Sequence, residues 1–217
     1  MNEEARILRI RIDERWTAND FSSSLLALDR LYTLRLLLEN EYEDLRDLRR
    51  NYPEASLLLP PYRFEDWISV ARTRGLPVNG ALEPLDRDPT LLPELLEPTE
   101  RLSLRRVIYG SPGIKDLVGV GEVIGHLKDL LVKLIDLFAT REERALKNER
   151  SALENDQLRV DIAKKYVELG RELGYSKREM RRLVASAAEQ QRPLEALIRT
   201  GKIISADTID SDRHDNE

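Results

Sequence analysis

An α+β fold, mainly α, is predicted by three features of the sequence. Two short segments alternate apolar and polar residues as strands do, long stretches repeat apolar residues at helical spacing, and the prolines that would interrupt helices gather in one region. The expected organisation is a small strand–helix–strand layer over residues 1–110 and a helical region over 111–204. The second region comprises a long amphipathic, coiled-coil-like helix from about 115 to 173 and a helical hairpin over 176–200. Residues 205–217 are expected to form a disordered acidic tail.

The first strand is "ILRIRI" (7–12), with Leu8, Ile10 and Ile12 on one face and Arg9 and Arg11 on the other. Thr17 and Asp20 then have the spacing of a capping box. Phe21, Leu25, Leu28, Tyr32, Leu38, Tyr42 and Leu45 follow at helical intervals, which predicts a helix over 18–50. Residues 53–98 hold eight of the ten prolines. Proline lacks a backbone donor and restricts the residue before it, so this stretch is read as a connector with at most a turn or two of helix at 64–74. "RLSLRRVIYG" (101–110) reads as a second strand and "GSPG" (110–113) as a turn. With only two strands, the sheet would need a second subunit to complete it, or the connector to cover its edges.

From Ile114 to Phe138 the chain is at its most apolar, and Glu122, His126, Asp129, Lys133 and Asp136 draw one polar stripe through it at steps of four and three. That stripe predicts a helix packed on the core by its apolar face, and it excludes a membrane span. No proline or glycine interrupts residues 126–169. Val132, Ala139, Leu146, Leu153, Val160 and Val167 recur every seven residues, while Glu142, Glu149 and Asp156 occupy the partner positions. This is a one-sided seam, suited to docking against another helix. Val132, Leu146, Leu153, Val160 and Val167 are therefore the candidate partner-binding residues. Gly174 is expected to close the long helix, and Ser176 with Glu179 to cap a helix at about 177–190, followed by a short one at 193–200.

Composition removes several chemistries. The chain of 217 residues has no cysteine and only His126 and His214 as histidines, which excludes disulfides, thiolate catalysis and cysteine-ligated zinc. A net charge of −5 provides no overall attraction to nucleic acid or anionic lipid. Gly119, Gly121 and Gly125 give G-x-G-x-x-x-G, which departs from the spacing of a dinucleotide fingerprint, and "GSPGIKD" lacks the Gly-Lys-Ser/Thr of a phosphate loop. For nucleophilic catalysis only Ser111 and His126 make a pair, with no third group; Glu142 and Glu143 sit among arginines. The N-terminus lacks the basic start of a signal peptide, so a cytoplasmic protein is expected.

From Tyr166 to Ala185 the chain resembles the helix-turn-helix pattern of DNA-binding regulators. Small Gly170, Leu173, the turn at Gly174 and the inward-packing Met180 and Leu183 carry the likeness. The resemblance implies phosphate or base contacts by Lys177, Arg178, Arg181 and Arg182. Residues 159–202 hold eleven Lys/Arg against six Asp/Glu, a local +5. The expectation drawn from the whole is a non-catalytic interaction or scaffold protein without a cofactor, which oligomerises or docks a protein partner through the long helix. The alternatives are a DNA-binding regulator and a peripheral membrane effector using helix 114–138. Acids at Asp116, Glu122, Asp129 and Asp136 disfavour binding to anionic lipid.

Overall fold

A computed structural model describes residues 4–51, 96–144, 164, 166–173, 175 and 177–210. Strand β1 (Ala5–Ile12) is followed by helix α1 (Ala18–Asn51), then strands β2 (Ser103–Ile108) and β3 (Gly113–Val120). Helices α2 (Gly121–Arg144) and α3 (Lys177–Arg199) precede the last strand, β4 (Ile203–Asp210). The sheet order is β2-β3-β1-β4, and every neighbouring pair is antiparallel. This is the connectivity of two interleaved β-α-β units, the split-βαβ arrangement, with α3 added before the last strand.

The start of α1 follows from its sequence. Asp20 Oδ2 accepts from the backbone N–H of Thr17 at 2.7 Å, and the Thr17 hydroxyl accepts from the Asp20 N–H at 3.2 Å, so the capping box closes as its spacing predicts. Leu8, Ile10 and Ile12 of β1 are fully buried against Leu28, Leu31 and Leu34 of α1 and Val123, Ile124 and Leu131 of α2, which join one core cluster. Tyr32 locks α1 to the sheet: its hydroxyl donates to the Glu100 carbonyl and accepts from the Val120 N–H, both at 2.8 Å. On α3, Leu183, Ala187, Leu194, Leu197 and Ile198 are buried, and Arg30 of α1 donates to Gln190 at 3.2 Å.

Four expectations change. The helix predicted from residue 115 begins at Gly121, because residues 113–120 are strand β3. Its alternation is hidden in the sequence: the inward position holds Lys115, and the outward Asp116 is itself buried by two arginines. Residues 205–210, expected in a disordered tail, lie in β4 and pair with Arg6–Arg11 of β1. The sheet therefore draws four strands from the chain itself, and β1 is completed by β3 and β4 without a second subunit. Finally, α3 runs unbroken through Pro193 where two helices were expected. The apolar face continues from Ala187 to Leu194, and its burial outweighs the one backbone bond that proline removes. The helical character of 18–50 and 121–138 and the strands at 7–12 and 103–108 agree with the sequence reading.

Candidate functional site

Two surfaces stand out. The first is the free side of β2. Leu104, Val107 and Ile108 on β2, and Tyr109 just after it, are 49%, 41%, 45% and 62% exposed, large apolar side chains at a strand that pairs on one side only among the described residues. Core packing covers little of these residues, with Tyr109 standing 6.3 Å from the Phe21 ring, and an exposed apolar edge is a template for association. The register shifts between Leu104 and Arg106, so Arg105 is the extra residue of a bulge, a feature that re-aims a side chain at a strand edge. The other edge, β4, carries a matching irregularity: Arg11 pairs with Ser205 and Ile12 with Ile203, which leaves Ile204 as the extra residue, 41% exposed. The two edges differ in charge. β2 presents the exposed Arg105, and β4 presents the exposed Asp207.

Behind β2, Asp116 gathers the strand arginines. Its carboxylate accepts from Arg9 Nε at 2.8 Å, Arg9 Nη2 at 2.9 Å and Arg106 Nε at 3.0 Å, tying β1, β3 and β2 together across the sheet. Burial alone would raise this carboxyl's pKa. The hydrogen bonds and charges of the two arginines outweigh it and hold the group below its ordinary value. Arg9 and Arg106 are thus ion-paired. No outward-facing aromatic stands on the central strands β1 and β3, so the sheet lacks the stacking platform that single-stranded RNA readers of this topology use.

The second surface is an open pocket of about 480 Å³ between α1, α2 and Tyr166, lined by Arg35, Val123, His126, Leu127, Asp129, Leu130 and Lys133. It forms where the polar stripe of α2 meets α1. Arg35 Nε donates to Glu39 at 2.5 Å, and Arg35 Nη2 lies 3.0 Å from His126 Nε2, which in turn is 3.3 Å from Glu39 and 3.9 Å from Glu122. The donor atoms of Glu39, Glu122 and His126 lie within 4.8 Å of one another, as metal ligands would. The arginine argues against that use. A guanidinium already bonded to two of the three groups supplies the positive charge, and a metal ion would have to displace it. Burial, opposed by the Arg35 charge and reinforced by the Glu39 charge, pushes the Tyr166 phenol up to about 12, so it remains a proton donor.

The residues singled out from the sequence fall in different places. Val132 on α2 and Val167 in the helical residues 166–172 are half-buried; Leu146, Leu153 and Val160 lie outside the described residues. Lys177, Arg178 and Arg181 are exposed on the first turns of α3, and Arg182 is half-buried. The corner itself is tightly made: the Tyr175 N–H donates to the Gly170 carbonyl at 2.8 Å, and a Cβ at Gly170 would lie 3.4 Å from Met180. Ser111 and His126 are not brought together. Ser111 precedes β3 and donates to Asp13, while His126 lies beyond the strand's far end among Arg35, Glu39 and Glu122. The β2 edge was missed as a surface because a single sequence does not show which strand ends the sheet, and Arg35 because its His126 partner is 91 residues away.

Among the described residues no helix is long and apolar enough to cross a membrane. Comparison with protein-family models, with curated proteins and with solved structures finds no match.

Proposed function

We propose that this chain is a non-catalytic interaction protein that associates with further copies of itself by joining the β2 edge of one copy to the β4 edge of the next. The observation that carries this reading is the exposure of Leu104, Val107 and Ile108 on an edge strand, with Tyr109 just beyond it. The partner is argued from charge. Arg105, the extra residue of the β2 bulge, and Asp207, on the opposite edge strand, are both exposed. Two β2 edges meeting would oppose arginine to arginine, which the β2-to-β4 arrangement avoids. Because the two surfaces differ, the contact is heterologous, and successive copies form a ring or an open row rather than a simple dimer. Relative to the sequence expectation, the interaction role stays and the surface moves from the long helix to the sheet edge.

Sedimentation velocity of the full chain over a range of concentrations tests this. A weight-average mass that climbs beyond the dimer is expected for the natural chain. Ile108→Lys, which puts an edge-protecting charge on an exposed position, should return it to the 25.1 kDa monomer. A natural chain that stays monomeric throughout overturns the proposal.

A further inference from the structure

We infer that the pocket between α1, α2 and Tyr166 is a binding site for a small organic anion with an aliphatic body, a medium-chain carboxylate. The inference is independent of the edge association. Its basis is a set of donors that the fold positions but does not use. Arg35 spends Nε on Glu39 and one N–H of Nη2 on His126, and its Nη1 has no hydrogen-bond partner among the described residues. Lys133 Nζ has no ion-pair partner there, and the Tyr166 hydroxyl has no acceptor. All three side chains line the same pocket.

The remaining surroundings select the ligand class. Val123, Leu127 and Leu130 supply an aliphatic wall, which a bare inorganic ion would leave without an apolar partner. Two of the nearby acids are matched by cations, Glu39 by Arg35 and Asp129 by Lys128 at 3.0 Å, while Glu122 beside His126 is largely exposed to solvent. They leave room for one further negative charge and disfavour a dianion such as a phosphate monoester. A carboxylate fits that limit and can take both a guanidinium and an ammonium as charge-assisted partners. The arginine is fixed in advance by Glu39 and His126, so little side-chain ordering remains to oppose binding.

Isothermal titration of the full chain with octanoate, octanol and acetate at pH 7, all below micellar concentration, tests the assignment. Saturable one-to-one binding of octanoate is expected, with octanol and acetate at least about tenfold weaker because each lacks one half of the ligand. Lys133→Met should weaken octanoate by about tenfold while the circular dichroism spectrum is unchanged, since Lys133 is half-exposed and holds no ion pair among the described residues. Arg35→Gln should weaken it by at least as much, and it decides the matter should the first variant fold poorly. Octanol binding as tightly as octanoate would reduce the site to an unspecific apolar cavity and overturn the proposal. So would octanoate affinity that survives both substitutions, or no saturable binding at all.

Discussion

Gly119 of β3 lies directly against the ring of Tyr32 in α1: a methyl group added at Gly119 would stand 2.7 Å from the tyrosine Cε2 and 2.9 Å from its hydroxyl oxygen. The tyrosine cannot yield, because it is fully buried and its hydroxyl is bonded on both sides, to the Glu100 carbonyl and to the Val120 N–H. Gly119→Ala should therefore destabilise the protein by about 1–3 kcal/mol through overpacking. Urea unfolding measures this; a loss within a few tenths of a kcal/mol would show that Tyr32 is not the fixed strut described above.

Lys115 makes a second prediction. It is fully buried, with Nζ donating to the Ser24 hydroxyl at 2.8 Å and standing 4.0 Å from the Trp16 ring centroid. Burial pulls its pKa from 10.5 down to about 7. Between those values the unfolded chain binds a proton that the folded chain does not, so stability should rise with pH by up to about 1.4 kcal/mol per unit. Lys115→Met keeps the side-chain volume and removes the titration. Its stability should equal or exceed the natural chain's at pH 7, and the difference should close as pH approaches 9. Parallel stability curves for the two proteins between pH 7 and 9 would contradict the assignment.

Acid should act through Asp116 and Asp20. Hydrogen bonding from Lys202, followed by the backbone and hydroxyl of Thr17, holds Asp20 at about 2. Asp116 is held low by its two arginines against the opposing effect of burial. Depressed carboxylates contribute stability that is present above the ordinary carboxylate range and lost as pH falls through the folded values. The melting temperature should be level from pH 7 to 5 and fall below about pH 4. Asp116→Asn should cost about 2–4 kcal/mol at neutral pH, because Arg9 and Arg106 are left together without their shared acid, and its acid dependence should be shallower. Melting curves at pH 6 and pH 3.5 check both; an unchanged acid slope in the variant would remove Asp116 from the account.

Much of the fold was legible because its signals are local. The period-two pattern of "ILRIRI", the Thr17–Asp20 box and the helical stripe from Glu122 to Asp136 each fit within a few turns of chain. What escaped depends on distant partners. β3 reads poorly because Lys115 faces inward to Ser24, and Asp116 is buried only through Arg9 and Arg106. β4 reads as tail because "SADTID" holds few core residues; β1 makes it a strand by offering a ladder. The pocket illustrates the same point. Its polar half was visible as the α2 stripe, and the arginine that organises it comes from α1.

The central claim is that copies of the chain join through oppositely charged sheet edges, and a charge exchange tests it most directly. Light scattering coupled to gel filtration would compare the natural chain with Arg105→Glu, Asp207→Arg and the double variant at one fixed concentration. Both positions are exposed, so the fold should tolerate each change. The account predicts that each single substitution reduces the assembly to monomer and that the double variant reassembles, because the attraction is restored with its sign reversed. Assembly that persists in both single variants, or a double variant that stays as monomeric as they are, would contradict it.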